Sequence, residues 1–430
     1  MTDVAPPFLV ALNLTRRCNL RCEHCYLDAG TRFDGGDEEI STDEVKKLID
    51  QIADLSEECM VVMTGGEPLL RPDIETLVAY AADRQLMVVL GTNGVLLNHE
   101  RVARLKSAGL AGAGISVDSL DPAFHDEFRR CPGAWEKTMA SLDACRNAGL
   151  AFQIHFSVTD DNAHEFEAMV DFAKSAGALA LNVFFLVCTG RGEKVTNISR
   201  DTYEDVLRRV TVASHDENEL MIRAKCAPHF KRMALELDPN WPITLAQGYE
   251  AGGCLAGTRY CRVTPEGAVT ACPYMEAEVG SVRETDFADI WQNAEQFKAL
   301  RQPKLEGRCG DCEYTKMCGG CRARPFARDG NLMGEDFLCG YQPGQGAVIE
   351  PLGDSGQTLV WSREAETRLN RVPPFVRRMV RRGVEDFVRE QGRSSVEPGD
   401  MAEVARRRFG EGGLPARFGS GLTRPGGTHD

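Results

Sequence analysis

The chain has 430 residues, two to three times an ordinary domain length, so a single small domain is excluded. Hydrophobic residues make up 43% and charged residues 27%, which excludes a disordered chain and a membrane bundle. The net charge of −14 argues against broad binding to a nucleic-acid backbone, because an acidic surface repels a polyanion. We therefore expect no nucleic-acid partner.

Short apolar runs alternate with helix-like stretches from residue 8 to about residue 187, which is typical of successive parallel strand and helix units. Six strands are predicted, at 8–14, 60–64, 87–91, 113–117, 152–158 and 181–187. Ser41 or Thr42 is expected to cap the helix whose apolar stripe begins at Val45. Six units are too few for a closed eightfold barrel and predict a curved, partial barrel of the α/β class.

The composition changes along the chain and indicates further domains. Glycines and cysteines replace the periodic pattern near residue 250, PGQGAVIEPLGDSG is typical of a linker, and an arginine-rich amphipathic helix follows. The predicted divisions are a partial barrel at 1–215, a bridge and cysteine-rich domain at 216–345, a linker at 346–360, a helical domain at 361–412 and a disordered tail at 413–430.

The 16 cysteines are crowded into clusters, which suits metal ligation better than a disulfide framework. The first residues have neither a basic start nor a long apolar run, so we expect neither a signal peptide nor a membrane span. Together these features predict a cytoplasmic protein.

Three cysteines, Cys18, Cys22 and Cys25, follow the first predicted strand with the spacing C-x3-C-x2-C. Three thiols on a four-iron cube leave one iron open, and an open position distinguishes a reactive metal site from a structural one. The alternative is zinc bound by these thiols and His24, for which a short hairpin offers poor geometry.

This cysteine spacing, followed by the string TGGEP after the second strand, resembles the radical S-adenosylmethionine (radical SAM) superfamily. The resemblance implies an enzyme in which the amino and carboxylate groups of SAM chelate the open iron. It further implies that an electron from the cluster cleaves the sulfonium and yields a 5′-deoxyadenosyl radical, which abstracts hydrogen from the substrate. An electron donor such as ferredoxin or flavodoxin is then expected.

Candidate SAM-binding residues lie near the ends of the second to fifth strands, where ligands of parallel barrels gather. They are Gly65, Gly66, Glu67, Pro68, Asn93, Ser116, Asp118, His155 and Ser157. The glycines let the backbone approach a ligand, and the resemblance assigns Glu67 to the SAM ammonium. A water-filled polar lumen is the alternative for His155.

Eight further cysteines between residues 254 and 339 are enough for two more four-iron clusters. Their order, together with TPEGAVTAC and GSVRETDFADIW, resembles the SPASM domain. The resemblance implies one auxiliary cluster on Cys254, Cys261, Cys272 and Cys321, and a second on Cys309, Cys312, Cys318 and Cys339. It thus implies three [4Fe-4S] clusters in all. The spacing of Cys318 and Cys321 is one residue shorter than in the domain, and a zinc ribbon is the alternative.

Two segments, FFLVCTGRGEKV and RAKCAPHFKR, resemble the subgroup that acts on tetrapyrroles in heme d1 and alternative heme biosynthesis. Candidate catalytic residues in them are Cys188, Arg191, Cys226 and His229. Arginine pairs bidentately with carboxylates, so basic residues here suit the propionate or acetate groups of a macrocycle. The alternative is that these residues only brace the bridge between domains.

The segment TRLNRVPPFVRRMVRRGVEDFVREQG resembles the small C-terminal helical domain of a subunit of dark-operative protochlorophyllide reductase, and a plain helical hairpin is the alternative. The predicted function is hydrogen abstraction from a tetrapyrrole side chain, leading to removal or oxidation of a propionate or acetate group in heme-type biosynthesis. Two rival hypotheses are a maturase that crosslinks or oxidises a peptide, and a non-catalytic electron-transfer protein.

Overall fold

A computed structural model describes residues 4–30, 38–56, 58–194, 198–239, 241, 253–344, 346–350, 359–370, 372 and 374–409. The predicted disordered tail at 413–430 and most of the predicted linker lie outside these residues.

Ten described strands form one sheet. They are β1 (Leu9–Asn13), β2 (Met60–Thr64), β3 (Met87–Thr92), β4 (Gly112–Ser116), β5 (Ala151–Val158), β6 (Ala180–Phe185), β7 (Met221–Lys225), β8 (Tyr260–Val263), β9 (Ala268–Thr270) and β10 (Glu278–Ser281). Their order across the sheet is β10-β9-β8-β1-β2-β3-β4-β5-β6-β7. All neighbours from β8 to β7 pair in parallel, and β9 and β10 add an antiparallel extension.

Helices connect and cover the strands. The described ones are α1 (Thr42–Leu55), α2 (Ile74–Asp83), α3 (His99–Ser107), α4 (Pro122–Arg129), α5 (Ala134–Ala148), α6 (Phe166–Ala176), α7 (Arg200–Asp216), α8 (Phe230–Leu237), α9 (Phe287–Asn293), α10 (Glu295–Arg301), α11 (Gly307–Gly310), α12 (Ala323–Asp329), α13 (Arg363–Leu369), α14 (Pro374–Glu390) and α15 (Pro398–Phe409). Short 3-10 turns occur at Pro68–Leu70, Ala163–Glu165 and Gly190–Lys194. None of the helices in the described ranges is long and apolar enough to cross a membrane.

The six predicted strands are confirmed as β1 to β6, and the sheet continues beyond residue 215 with a seventh parallel strand. The sequence of β7, MIRAK, lacks an apolar run because this strand lies at the edge of the sheet, where Met221 is 37% exposed. Periodicity alone therefore missed a strand that pairs with just one other described strand.

The N-terminus of α1 shows how local sequence fixes one element. Ser41, one of the two predicted caps, is the N-cap, and its side chain accepts a hydrogen bond from Glu44 N. The Glu44 carboxylate accepts from Ser41 N at 2.7 Å, which completes a capping box. Arg283, next to β10, donates to the same carboxylate at 2.8 Å. This cap therefore also ties the barrel to the cysteine-rich part of the chain.

The C-terminal segment has an apolar core of its own. Two short parallel strands, β11 (Val360–Trp361) and β12 (Ser395–Val396), pair beside α13 to α15. The buried residues of this core are Leu359, Ala365, Val384, Val388 and Val396. The predicted amphipathic helix is thus present as α14.

Candidate active site and metal centres

The three N-terminal cysteines lie in one loop that follows β1. Cys18 N donates to Gly30 O at 3.3 Å, and Gly30 N donates to Arg16 O at 3.2 Å. The end of α4 holds the loop from another side, because the carbonyls of Arg129 and Phe128 accept backbone bonds from it at 3.4 and 3.0 Å. Backbone bonds therefore fix the position of the loop.

Cys18 and Cys22 are buried, and polar groups point at their sulfur atoms. Leu20 N donates to Cys18 Sγ at 3.4 Å, and Asn93 Nδ2 lies 3.9 Å from the same sulfur. Arg129 Nη1 donates to Cys22 Sγ at 3.6 Å. Burial raises the pKa of Cys18 to about 12, so a thiolate there needs a positive partner. This environment fits thiolates bound to a metal cluster.

His24, the fourth ligand of the zinc alternative, interacts with other groups. Its ring stacks on Phe128 with centroids 4.5 Å apart, and its Nε2 lies 4.0 Å from Asp118. No three His, Cys, Asp or Glu side chains of the described residues surround a single point as a lone metal ion requires. In a four-iron cluster each cysteine binds a different iron, so its ligands need not surround a single point.

Gly65 and Gly66 let the loop after β2 pack directly on the cysteine loop. Gly66 N donates to Thr15 O at 2.7 Å, and a Cβ on Gly66 would lie 2.2 Å from Arg17 O. Gly65 has a φ of +133°, and a Cβ there would lie 2.6 Å from Thr15 O. The two glycines therefore allow a backbone contact that any larger residue would block.

The Glu67 carboxylate is fully buried and accepts hydrogen bonds from its own chain. Leu69 N donates at 3.1 Å, Asn93 N donates at 3.0 Å, and Thr92 Oγ1 lies 2.9 Å from both oxygens. Burial raises the pKa of Glu67 to about 7. The carboxylate thus joins the end of β2, where Pro68 begins a turn, to the end of β3. Its assignment to the SAM ammonium stays a prediction.

Four of the other predicted SAM-binding residues lie together on β4, β5 and the following loop. Ser116 and His155 are partners in register across the two strands. Ser157 N donates to Asp118 Oδ1 at 3.0 Å. Gly114 leaves room for the imidazole, since a Cβ there would lie 2.3 Å from the His155 ring. The strand ends therefore gather these residues as the topology predicts.

Asp118 forms a buried ion pair with Arg129, a residue that the sequence analysis did not single out. The two side chains are 0% and 6% exposed. Burial acts to raise the pKa of Asp118, but the Arg129 charge and smaller contributions from neighbouring groups together outweigh it and lower the pKa. Arg129 thus links Asp118 to the sulfur of Cys22. No motif marks this arginine, and only the placement of α4 reveals it.

Arg191 donates hydrogen bonds to the cysteine loop. Nε donates to Cys22 O at 3.0 Å, and Nη1 donates to Ala29 O at 2.8 Å. Nη1 also pairs with Asp28 at 2.6 Å, and the Arg191 backbone N donates to Cys25 O at 3.1 Å. These contacts favour the bracing alternative for Arg191, and a catalytic role for it stays a prediction.

The other three candidate catalytic residues follow β6 and β7, and two of them, Cys226 and His229, contact the cysteine-rich part. Cys188 is partly buried after β6, and Cys226 follows β7 with a φ of +57°. His229 is 1% exposed, with Nδ1 2.7 Å from the Tyr203 hydroxyl and Nε2 3.5 Å from Asp336. Burial lowers the pKa of His229 to about 4, so its ring is neutral at neutral pH.

The cysteines assigned to the second auxiliary cluster are close to one another. Burial raises the pKa of Cys318, and the charges of Cys339 and Cys309 raise it further. Burial also raises the pKa of Cys312, with a smaller contribution from Cys309. Asp336 N donates to Cys309 Sγ at 3.4 Å. A donor aimed at this sulfur again fits a metal-bound thiolate.

Only three of the four cysteines assigned to the first auxiliary cluster lie together. Burial raises the pKa of Cys272, and the charges of Cys254 and Cys321 add to this effect. Cys261 is fully buried in β8. Burial raises its pKa, and the thiol that contributes to this shift is Cys59. The structure does not bring Cys261 to the other three.

A parallel α/β sheet, a loop with buried thiols and a cysteine-rich extension together fit an enzyme that binds iron–sulfur clusters. The family model of the radical SAM superfamily matches residues 12–173. That of an iron-sulfur cluster-binding domain (SPASM) matches residues 254–313, and that of the proto-chlorophyllide reductase 57 kD subunit matches residues 361–404.

Curated relatives match most of the chain. The AdoMet-dependent heme synthase of Methanosarcina barkeri is 40% identical over 345 residues, which cover 79% of this chain and 98% of the relative. The pre-heme d1 synthase of Dinoroseobacter shibae is 29% identical over 361 residues, covering 78% of this chain and 86% of the relative. The mycofactocin maturase MftC of Mycobacterium ulcerans is 30% identical over 345 residues, covering 77% and 88%.

The fold also matches a solved structure, that of Streptococcus suis SuiB bound to S-adenosylmethionine. The TM-score is 0.63 at 17% identity, with 78% of each chain covered. The chain therefore belongs to the radical SAM superfamily, in the branch that carries a SPASM domain. It is an enzyme, and its cofactors are SAM and iron–sulfur clusters.

Proposed function

We propose that this enzyme abstracts hydrogen from a tetrapyrrole side chain and thereby removes or oxidises a propionate or acetate group in heme-type biosynthesis. The observation that carries this proposal is the 40% identity to an AdoMet-dependent heme synthase along 98% of the length of that relative. The match between residues 361–404 and a proto-chlorophyllide reductase subunit supports the same substrate class.

Two basic residues on β7, Arg223 and Lys225, support a substrate with several carboxylates. His155 pairs in register with Asn182, and Asn182 pairs with Arg223. Lys225 lies two residues further along the same strand, so both cations share the face of the sheet that carries His155. Burial lowers the pKa of His155 to about 4, and the Lys225 charge contributes to the shift. Arginine and lysine on this face suit propionate or acetate groups.

We propose three [4Fe-4S] clusters. Cys18, Cys22 and Cys25 would hold the first, and the cysteine-rich part would hold two auxiliary clusters, one of them on Cys309, Cys312, Cys318 and Cys339. When bound, the first cluster and SAM supply one-electron cleavage and a carbon radical that abstracts hydrogen. The chain itself fixes the cysteine loop, shields Cys18 and Cys22 from water and places cations near the substrate face.

The proposed electron donor is a ferredoxin or flavodoxin, and the proposed compartment is the cytoplasm. All 16 cysteines are free in the structure, and so many free thiols persist most readily where the environment is reducing.

Titration with acidic tetrapyrroles, followed by the visible spectrum, tests the substrate class. We expect saturable binding that weakens about tenfold in Lys225→Met, because a lost charge-assisted bond costs roughly 1.4 kcal/mol or more. Lys298→Met, on an exposed helix surface, is the matched control and should bind normally. No spectral change with any acidic tetrapyrrole would reject the proposal.

The maturase alternative has its own support in the 30% identity to mycofactocin maturase MftC. A peptide substrate predicts that SAM cleavage rises with a peptide and not with a tetrapyrrole. Comparing 5′-deoxyadenosine formation with each substrate class separates the two. An electron-transfer protein without turnover would form none with either.

A further inference from the structure

A cysteine outside the expected set lies beside the first auxiliary thiols. Apart from burial, the charges of three other thiols raise the pKa of Cys272, and these are Cys254, Cys321 and Cys226. Cys321 has the same neighbours, because Cys254 and Cys226 also raise its pKa, in addition to burial. The geometry agrees, because one buried ion pair, Arg324 with Asp336, hydrogen-bonds to the backbones of both Cys226 and Cys321.

The register of the sheet turns Cys261 away from this group. Cys261 pairs with Val10 of β1, and its neighbour Arg262 pairs with Thr270 of β9. Side chains alternate along a strand, so Cys261 and Arg262 face opposite sides. Arg262 Nε donates to Thr270 Oγ1 at 3.0 Å, and Thr270 Oγ1 donates to Cys272 O at 3.1 Å. Cys272 therefore lies on the Arg262 side, and Cys261 lies on the apolar side with Val10.

An ion pair joins Cys226 to Cys321 through their backbones. Arg324 Nη2 donates to Cys226 O at 2.7 Å, and Nη1 donates to Asp336 Oδ2 at 2.8 Å. The same carboxylate oxygen accepts from Cys321 N at 2.8 Å. Arg324 and Asp336 are 1% and 0% exposed, so water does not compete for these bonds. The pair therefore fixes the loop after β7 against the cysteine-rich part.

The backbone of Cys226 indicates that its side chain is needed. Its φ of +57° lies in the left-handed region, which glycine adopts freely and other residues adopt at a cost of about 1 kcal/mol or more. A turn that needed only this conformation would favour glycine. Here the position carries a cysteine, and Arg324 and Asp336 fix its backbone beside that of Cys321.

We propose that Cys226 is the fourth ligand of the first auxiliary cluster, with Cys254, Cys272 and Cys321, and that Cys261 is a core residue of the sheet. The inference rests on the proposed three-cluster composition. The cluster would then connect the end of β7 to the cysteine-rich part. The Cys-Ala-Pro-His string would supply a ligand in place of a catalytic thiol.

Iron content of the full chain after anaerobic reconstitution tests this ligand. The unaltered protein should bind about twelve irons, and Cys226→Ala should bind about eight. Cys272→Ala should behave like Cys226→Ala, because both lose a ligand of one cluster. Cys261→Ala is the matched control and should retain about twelve.

A second measurement is needed in case the three remaining cysteines still hold the first auxiliary cluster in Cys226→Ala. With SAM present to cover the first cluster, isotopically labelled cyanide should bind the newly open iron in Cys226→Ala. It should then give a hyperfine coupling in the electron paramagnetic resonance spectrum, and none in Cys261→Ala. Full iron content without cyanide binding in Cys226→Ala, or loss of iron in Cys261→Ala, would overturn the inference. Only about four irons in the unaltered protein would instead refute the three-cluster composition, and the ligand with it.

Discussion

Arg129 donates from Nη1 to the sulfur of Cys22 at 3.6 Å, while its guanidinium pairs with the buried Asp118. The ion pair holds the guanidinium in place, because both partners are almost inaccessible to water. Donors to a ligand sulfur stabilise the more negative, reduced state of an iron–sulfur cluster and so raise its potential. Arg129 is therefore positioned to set the potential of the first cluster.

Replacing Arg129 by lysine should make that potential more negative. Lysine keeps the charge beside Asp118 but loses the planar guanidinium that reaches both partners. A loss of about 1.4 kcal/mol corresponds to roughly 59 mV for one electron. A redox titration followed by electron paramagnetic resonance measures the shift. Arg130→Lys, at the exposed next position, is the control, and an equal shift in both variants would contradict the role.

Gly66→Ala should weaken binding of SAM and of the first cluster. A methyl group would lie 2.2 Å from Arg17 O, so the two loops would have to separate. Gly30→Ala changes the same cysteine loop at a position where nothing lies within 4 Å, and it should retain both. Iron content and SAM binding by equilibrium dialysis provide the measurement. Unchanged SAM affinity in Gly66→Ala would show that this contact is dispensable.

Arg191→Ala should lower the retention of the first cluster, because three hydrogen bonds from its side chain to the cysteine loop are lost. The affinity for a tetrapyrrole should change less than in Lys225→Met. Iron content and spectral titration of both variants separate bracing from substrate binding. The opposite pattern, with full iron and weak substrate binding in Arg191→Ala, would make Arg191 a substrate ligand.

Glu44→Gln should destabilise the first turn of α1 by about 0.5–1 kcal/mol. The hydrogen bond from Ser41 N and the pairing with Arg283 lower the pKa of Glu44 from 4.5 to about 2. A lowered pKa stabilises the fold above pH 4.5, and this contribution is lost as the pH falls towards 2. In Glu44→Gln, amide hydrogen exchange should therefore show a loss of stability in the first turn of α1 that stays constant between about pH 6 and about pH 8. Asp43→Asn, exposed in the same turn, should show none.

Local patterns predicted the cysteine loop, β1 to β6 and the cap at Ser41, because spacing and periodicity along the chain encode them. They did not predict β7, since an edge strand with alternating polar residues leaves no apolar run. They also missed Arg129 and the ion pair of Arg324 with Asp336. Buried charges are recognised by their partners, and these partners come together only when distant elements pack.

Local sequence patterns also could not predict which cysteines lie together. The SPASM resemblance, carried over by the order of the cysteines, groups Cys261 with Cys254, Cys272 and Cys321. In β8 the side chain of Cys261 faces the apolar side of the sheet with Val10, whereas Arg324 and Asp336 join the backbone of Cys226 to that of Cys321. Sequence order gives the number of thiols, whereas the register of the sheet decides which of them meet.

The most direct test of the proposed function follows hydrogen from substrate to cofactor. Reduced enzyme, SAM and an acidic tetrapyrrole with deuterated propionate and acetate methylenes would be combined without oxygen, and the 5′-deoxyadenosine analysed by mass spectrometry. The account predicts deuterium in 5′-deoxyadenosine together with loss or oxidation of a side chain. Unlabelled 5′-deoxyadenosine and an unchanged macrocycle with every acidic tetrapyrrole would contradict it.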